Sequence, residues 1–534
     1  MLKRKIIFIA IALFAILLPI SLYAQDDAVA TSGVNEADGY FTQGDFEDAL
    51  EAYLTLVDKY PENELFNYRV GVCYLNTNVD KAKAISYLEL VVHSKKNYPN
   101  ALYLLARAYQ FAYRFDDAIK TFTDFKKEGR GASENIRDAD LEIQYCINAK
   151  ELMKFPISAT FENLGKNVNS PYDDYYPFVP TDESFLVFNS KRAGTGKEKA
   201  TVNSYPPSIY ISRVKDGEYT PAVGIGSPID MPGKSEEVIG LSKEGDYMLF
   251  YYIDKKGFGN IYITNEQADK TFSTPVQLPE VINQKGQSKI AASITSDGST
   301  IYFASDRPGG FGGIDLYVSR RIPNGNWGTP QNLGTVINTP SNEDFPNISP
   351  DGKTLYFSSQ GHTSMGGYDI FKASLSDSAN KWQSVQNMGY PINTPDDDMN
   401  FRLATNGRYG YISQVRKGGL GGLDIYRVTF NAVDQRYSVV KGLISTSDTT
   451  VKIKDYTDVM ITVSDAKTQE LYGNYVPNSA TGRYVIILPA GRYHAIVQVD
   501  GFDPYKEDIN VEDKSSFQTE VNKDISLIPA KPKK

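Results

Sequence analysis

Residues 342–371 read NEDFPNISPDGKTLYFSSQGHTSMGGYDIF. This segment predicts a short strand, a Ser-Pro-Asp-Gly turn, an alternating strand, a glycine-rich loop and the start of a further strand. Gly352 ends the turn and Gly298 holds the same place one copy earlier, because glycine tolerates the positive φ that such turns need. The segment therefore predicts one antiparallel unit, and the rest of the chain shows how often it is repeated.

The same pattern recurs with a fixed period. Asp315, Asp369 and Asp424 begin matching strands at spacings of 54 and 55 residues. The copies begin near five residues: Tyr175, Glu236, Ser288, Asn342 and Asp397. A copy of this length holds about four short strands, and a ring of such sheets covers faces that one sheet leaves exposed. The period predicts a five-bladed β-propeller, or a six-bladed one if residues 157–169 or other divergent sequence completes a blade.

The segments SPDGKTLYFSS and GGYDIF resemble the Tol-type, WD-repeat-like propeller repeat. The resemblance is strongest in the third and fourth copies. The first, second and fifth copies depart from it; the first has Thr-Asp-Glu-Ser at 181–184 and the fifth has Thr-Asn-Gly at 405–407 in place of the turn. The resemblance implies a propeller over residues 155–433, in which residues 157–163 form a strand that closes the ring with the last blade.

A second repeat precedes the propeller. Tyr40, Tyr74 and Tyr109 are spaced by 34 and 35 residues. Small residues that allow close helix crossing keep the same spacing: Ala37, Gly71 and Ala106. The pattern resembles three tetratricopeptide repeats, an α-solenoid over residues 34–154 that a helix at 135–153 caps. The family implies binding of extended peptides or helices in the concave groove; the alternative is that three repeats only dimerise or brace the propeller.

After Arg436 the pattern changes to short strands separated by turns, which predicts a β-sandwich. Residues 451–463 alternate, and strands are also expected at 484–488 and 494–499. The segment TGRYVIILPAGRYHAIVQVDGF resembles the carboxypeptidase-regulatory-like fold, a transthyretin-like sandwich that is usually non-catalytic. We assign residues 434–529 to this sandwich and 530–534 to a tail, so the chain is predicted to be a multidomain α plus all-β protein.

Residues 1–24 have the pattern of a cleavable signal peptide. Lys3, Arg4 and Lys5 precede an apolar run at 6–20, and Ala24 is a plausible cleavage point. A linker is expected at 25–33. No cysteine lies near the junction, which disfavours a lipid anchor and favours a periplasmic protein. Removal of these three basic residues from a net charge of −9 leaves −12 (−9 − 3), which disfavours nucleic acid as a partner.

The sequence offers little for catalysis. Its three histidines fall in three different predicted domains, so neither a zinc site nor a His-centred triad can be built within one domain. Cys73 and Cys146 are expected as buried free thiols rather than a disulfide. The run 396–398, Asp-Asp-Asp, either binds calcium or forms the polar entry to the fifth blade; the periodic aspartates are expected to be structural. We predict no catalytic, cofactor-binding or metal-ligating residue and no small-molecule substrate.

The order of the three domains resembles Bacteroidetes envelope proteins of the PorE type, which are linked to type IX secretion and gliding. In that family an OmpA-like domain follows, and this sequence does not show it. The resemblance implies a non-catalytic periplasmic scaffold whose partners are other envelope proteins, bound through the helical groove and the propeller face. Any link to the outer membrane is then expected only through a partner. The alternatives are a Tol-type role in envelope integrity, and a propeller that hydrolyses or binds glycans.

Overall fold

A computed structural model describes residues 28–530 with internal gaps. The gaps are 95–97, 181, 194–204, 232–233, 243–244, 254–258, 288–290, 296, 350–351, 377–380, 405–406, 432–436, 449, 454–455, 480 and 512–519. The predicted signal peptide therefore lies outside the described residues. The chain divides into two compact units: the helices and the first five sheets form one, and the last two sheets form the other.

Seven helices come first. They are α1 (Ala28–Gln43), α2 (Phe46–Lys59), α3 (Glu64–Leu75), α4 (Ala84–Val92), α5 (Ala101–Phe111), α6 (Phe115–Glu128) and α7 (Ser133–Leu152). The helix α1 begins inside the segment predicted as a linker. Asn63 caps α3 by accepting hydrogen bonds from the N–H groups of Leu65 and Phe66, and Gly129 ends α6 with a φ of 60°. None of the described helices is both long and apolar enough to cross a membrane.

The helices pack as three consecutive pairs, followed by α7 against α6. Ala37 and Ala106 are fully buried, as expected for small residues at helix crossings. A methyl group on Gly71 would lie only 2.5 Å from Cγ of Leu88, so α3 and α4 approach too closely for a larger residue. The prediction of helical repeats ahead of antiparallel sheets is confirmed.

Five antiparallel sheets follow. Strand β1 (Ala159–Asn163) belongs to sheet 5. Sheet 1 holds β2 (Asp174–Phe178), β3 (Phe185–Ser190), β4 (Ser208–Lys215), β5 (Glu218–Tyr219) and β6 (Val223–Gly224). Sheet 2 holds β7 (Glu236–Leu241), β8 (Tyr247–Ile253), β9 (Gly259–Asn265) and β10 (Val276–Gln277). Sheet 3 holds β11 (Ala292–Ile294), β12 (Thr300–Ser305), β13 (Asp315–Arg320) and β14 (Gln331–Asn332). Sheet 4 holds β15 (Glu343–Ile348), β16 (Thr354–Ser359), β17 (Asp369–Leu375) and β18 (Trp382–Asn387). Sheet 5 also holds β19 (Arg402–Leu403), β20 (Tyr409–Gln414) and β21 (Asp424–Phe430).

The five sheets contact one another in chain order, and the fifth returns to the first. The side chain of Asn189 in sheet 1 exchanges two hydrogen bonds with the backbone of Val238 in sheet 2. Strand β11 contacts both β7 and β15. The N–H of Asp174 in sheet 1 donates to the carbonyl of Leu423, just before the last strand of sheet 5, at 2.8 Å. This cyclic arrangement is a propeller-type fold.

Strand β1 closes the ring. It pairs antiparallel with β21, from Ala159 opposite Phe430 to Asn163 opposite Tyr426. The outer strand of sheet 5 thus comes from the segment before sheet 1, as the sequence indicates. Because the two ends of the ring share one sheet, main-chain hydrogen bonds hold it closed.

The second unit has two further sheets. One holds β22 (Tyr437–Thr446), β25 (Arg483–Pro489), β28 (Glu520–Asn522) and β29 (Ile525–Leu527); the other holds β23 (Met460–Asp465), β24 (Leu471–Tyr475), β26 (Gly491–Gln498) and β27 (Tyr505–Val511). Buried side chains of both sheets form one core. The strand predicted over 451–463 begins only at Met460, because Tyr456–Asp458 form a short 3-10 helix.

Candidate interaction surface

Each of the three periodic aspartates holds a glycine-rich loop in place. These loops directly precede strands β13, β17 and β21, in sheets 3, 4 and 5. Asp315 accepts hydrogen bonds from the N–H groups of Phe311 and Gly312 and from the side chain of Asn332. Asp369 and Asp424 accept equivalent bonds within their own loops. All three are buried, and burial raises the pKa of Asp369 well above its ordinary range. These contacts fix loop conformation and present no carboxylate to a substrate.

The paired glycines of these loops lie where neighbouring sheets approach. A methyl group on Gly312 would lie 1.9 Å from the carbonyl oxygen of Ser341. The equivalent distances are 2.3 Å from Gly366 to the carbonyl oxygen of Pro395, and 2.4 Å from Gly421 to that of Tyr172. Only glycine permits these approaches, so each loop is pinned against the next sheet in the ring.

The other predicted repeat positions serve turns and packing. Gly298 and Gly352 have φ values of 65° and 70°, in the left-handed region that favours glycine. The hydroxyl of Tyr109 donates to Glu89 at 2.7 Å, and the hydroxyl of Tyr40 donates to Glu36 at 3.3 Å. The ring of Tyr74 stacks on Tyr87 with centroids 5.8 Å apart. None of these described contacts forms a ligand site.

The helical repeats are seated on the loop face of the ring. We define the loop face as the side that carries the three glycine-rich loops. Turns within the repeats contribute the first contacts: Asn78 donates to Asp173 at 2.9 Å, and Lys81 pairs with Asp396 at 2.5 Å. The cap helix α7 contributes further ones, since Asn148 donates to the carbonyl of Ser364 at 2.8 Å and Tyr145 donates to that of Gln360. No sequence motif indicated these contacts.

One residue of the loop face enters the helical core. Met365 precedes the glycine pair of the sheet 4 loop and is fully buried in the same cluster as the core residues of the helices. Phe311 and Leu420 hold the equivalent position in the loops of sheets 3 and 5, four residues before Asp315 and Asp424. They are 51% and 48% exposed. An apolar residue before a glycine pair is thus a repeated feature that the sequence contained and our sequence analysis did not use.

The acidic run 396–398 is distributed among three different contacts. Asp396 pairs with Lys81, and Asp397 accepts a hydrogen bond from the N–H of Tyr368 at 2.8 Å. Asp398 is buried and accepts from the N–H and hydroxyl of Thr394; burial raises its pKa to about 7. Among the residues that the structure describes, no cluster of His, Cys, Asp and Glu is arranged to hold a metal ion.

Two further carboxylates belong to the first strands of sheets 2 and 4. Asp344 is 2% exposed, and its one described hydrogen bond comes from the N–H of the next residue, Phe345, at 2.7 Å. Burial raises its pKa to about 7. Glu237 accepts from the hydroxyl of Tyr251 at 2.9 Å, and burial raises its pKa as well. The carboxyl group of Asp344 can therefore hold or release a proton near neutral pH.

The cysteines and the loop histidine offer no reactive site. Cys73 and Cys146 are free and buried, and burial raises the pKa of Cys146 to about 12, so the thiolate is scarcely populated at neutral pH. Nε2 of His362 lies 2.9 Å from the carbonyl oxygen of Ile337, and burial lowers the pKa of its imidazole. The imidazole thus braces the sheet 4 loop.

Comparison with known family models supports the helical part of this organisation. The tetratricopeptide repeat family model matches residues 34–101. Similar solved structures include a glycoside hydrolase, with 9% identity, a TM-score of 0.37, and coverage of 53% of this chain and 94% of that one. They also include a TolB candidate from Agrobacterium tumefaciens, with 14% identity, a TM-score of 0.31, and coverage of 62% and 98%. A protein of unknown function from Dyadobacter fermentans DSM 18053 has 12% identity, a TM-score of 0.31, and coverage of 64% and 99%.

No curated protein matches the chain. The structural similarities have TM-scores too low to carry an argument about activity. The chain thus has a segment at 34–101 that matches the tetratricopeptide repeat family model, followed by a propeller-type ring of sheets.

Proposed function

We propose that this protein is a non-catalytic interaction scaffold of the bacterial envelope, and that the loop face of its propeller is a helix-binding surface. One observation carries the proposal. The loop of sheet 4 already binds helices, with Met365 buried among them, while Phe311 and Leu420 stand exposed at the equivalent positions. Exposed apolar residues on a rigid, repeated loop are typical of a protein-binding surface.

The finer architecture belongs to the same proposal. The five sheets would be the blades of a complete five-bladed propeller, since β1 closes the ring, and the second unit would be a transthyretin-like sandwich. Periplasmic location follows from the basic and apolar pattern of residues 1–24. Type IX secretion or gliding components are the partners that the domain order favours, and Tol-type envelope proteins are the alternative.

The test is capture of partners from an envelope extract by the full chain and by a double variant, Phe311→Asp with Leu420→Asp. We expect the double variant to lose partners that the wild type retains, because each change places a charge where an apolar contact forms. Ile322→Asp is the matched control, since Ile322 is 44% exposed at the opposite end of sheet 3. Equal capture by all three proteins would contradict the loop face as a binding surface. The identity of the captured partners distinguishes secretion or gliding components from Tol-type ones.

A second candidate is a glycan hydrolase whose site lies inside the ring. The observation that favours it is the raised pKa of two carboxyl groups, the half-buried Glu237 and the buried Asp344, because glycosidases use a carboxyl group with a raised pKa as general acid beside a second carboxyl group. A panel of glycosidase substrates, tested with the wild type, Glu237→Gln and Asp344→Asn, checks this candidate. The scaffold proposal expects no turnover. Turnover that either variant abolishes would replace it.

A further inference from the structure

Three arginines occupy one repeated position, two residues after the ends of strands β3, β12 and β20, in sheets 1, 3 and 5. They are Arg192, Arg307 and Arg416. Each guanidinium donates to a backbone carbonyl of the turn that leads into its own sheet: Arg192 to Val168, Arg307 to Ile282 at 2.9 Å and Arg416 to Pro391 at 2.9 Å. The repeat therefore supplies an internal comparison of one side chain in three surroundings.

Sheets 1 and 5 surround their arginine with groups of the chain itself. Arg192 forms an ion pair with Asp174, which is fully buried. Arg416 lies over the ring of Phe161, with Cζ 3.3 Å from the centroid, and Asp398 acts on it electrostatically. Arg192 is thus neutralised by an ion pair, and Arg416 is covered by an aromatic ring.

Arg307 has different surroundings. Within the described part of the chain no carboxylate forms an ion pair with it, although the adjacent Asp306 acts on it electrostatically, and it lines an open cavity of about 480 Å³. The residue is 9% exposed. Its three described donor contacts go to Ser305 Oγ at 3.3 Å and to the carbonyls of Val281 at 3.4 Å and Ile282 at 2.9 Å. A guanidinium has five N–H donors, so two remain for a bound group.

The rest of the cavity suits a small polar molecule. Tyr317 and Asn332 line it together with Pro308 and Pro330, so polar groups and apolar carbon surface are both present. The ring of Tyr317 also packs against the guanidinium, with its centroid 5.1 Å from Cζ. Glu280 also lines the cavity and is solvent-exposed, so its carboxylate adds a partly screened negative charge that weakens binding of an anion.

We infer that this cavity is a binding site for a small molecule that bears a carboxylate, which Arg307 recognises. Two spare N–H donors match the two oxygens of a carboxylate. A uronic acid and an acidic amino-acid side chain share this chemistry. The cavity shares the sheet 3 loop with Phe311, but its lining includes neither Phe311 nor Leu420, so either inference can fail without the other.

The experiment is calorimetric titration of the full chain with sodium galacturonate and with N-acetylglutamate, at constant ionic strength. Neutral galactose and N-acetylglutamine are the matched probes that lack the carboxylate. We expect saturable binding of at least one acidic probe and at least about tenfold weaker binding of its neutral counterpart, as for other charge-assisted hydrogen bonds. The acidic probe that binds more tightly identifies the source of the carboxylate.

Two variants test whether Arg307 is responsible. Arg307→Gln should weaken the acidic probe about tenfold or more, whereas Arg321→Gln, on the same sheet and away from the cavity, should leave its affinity unchanged. If Arg307→Gln does not fold, Glu280→Gln takes its place; removal of the cavity's negative charge should tighten the acidic probe and leave the neutral one unaffected. Binding of neither acidic probe, equal affinity for acidic and neutral probes, or indifference to these substitutions would overturn the inference.

Discussion

Replacement of glycine by alanine at two positions of the helical repeats should have opposite effects on stability. A methyl group on Gly71 would lie 2.5 Å from Leu88, whereas nothing lies within 4 Å of a methyl group on Gly39. We therefore expect Gly71→Ala to lower the free energy of unfolding by about 1–3 kcal/mol through overpacking. Gly39→Ala should raise it by roughly 0.5–1 kcal/mol, because alanine favours a helix.

Urea unfolding followed by the helical circular dichroism signal measures both changes. The two variants carry the same chemical substitution, so each is the control for the other. A similar effect of both on the unfolding midpoint would contradict the close crossing of α3 and α4.

The buried carboxylate of Asp344 makes stability depend on pH. Its pKa rises from 3.8 to about 7 because burial disfavours the charge. The folded state therefore binds a proton that the unfolded state releases, and this stabilising contribution is present below the ordinary pKa and lost as pH rises through about 7. The wild type should therefore lose unfolding free energy between pH 5 and 8. In Asp344→Asn we expect this loss to be smaller by on the order of 1–3 kcal/mol.

Asp297 is the control of opposite sign. It lies in an exposed turn, where hydrogen bonds from Thr295 and Ser299 lower the pKa of its carboxyl group. Its stabilising contribution is present above the ordinary pKa and lost as pH falls, so Asp297→Asn should lower stability at neutral pH and not at acid pH. Unfolding curves recorded from pH 3 to 8 separate the two effects; an unchanged slope in Asp344→Asn would contradict the burial argument.

The glycine-rich loops are the elements that relate the ring to the helices. Met365 is fully buried in the helical core, and Phe311 at the equivalent position is 51% exposed. Met365→Ala should therefore cost about 2–4 kcal/mol of unfolding free energy, because it leaves a cavity in a packed core. Phe311→Ala should change stability by less than about 0.5 kcal/mol, as other surface substitutions do. Thermal unfolding of the two variants checks this, and equal losses would mean that the two loops are equally buried.

At the scale of elements, the sequence predicted most of what is periodic. Asp315, Asp369 and Asp424 begin the strands expected of them, and the helical pairs follow the spacing of the tyrosines, because local hydrogen bonding and burial repeat with the sequence. The residues that differ between repeats were harder to interpret. Met365, Phe311 and Leu420 are all apolar residues before a glycine pair, and only the position of the helices over sheet 4 decides which of them is buried.

At the scale of the whole molecule, bracing of the ring by the helices was one of two alternatives, but the residues that make the contact were not predictable. Asn78, Lys81 and Tyr145 are ordinary polar residues of turns and helices, and each finds its partner more than 90 residues away in the sequence. A pairing of this kind has no local pattern, since it depends on how two finished surfaces meet. The candidate surface could thus be recognised only partly, through its repeated loops.

The same contact determines what removal of the helical repeats should do. A fragment of residues 155–431 keeps β1, and with it the closed ring, so we expect it to fold and to keep its β circular dichroism signal. It lacks the helices that cover Met365 and Tyr390, both of which pack against the helical core in the whole chain. Burial of one methionine side chain stabilises by about 1.5–3 kcal/mol, so the fragment should unfold at a lower temperature than the ring in the full chain.

The exposed methionine should also make the fragment self-associate, because an apolar side chain on a rigid loop is then open to a second copy. Met365→Ser in the fragment should restore a monomer, whereas Val336→Ser, which changes a side chain already 45% exposed in the full chain, should not. Sedimentation velocity measures this directly. A monomeric fragment with an unchanged midpoint of thermal unfolding would show that the helices contribute nothing to the ring, and the seating of the repeats on its loops would have to be abandoned.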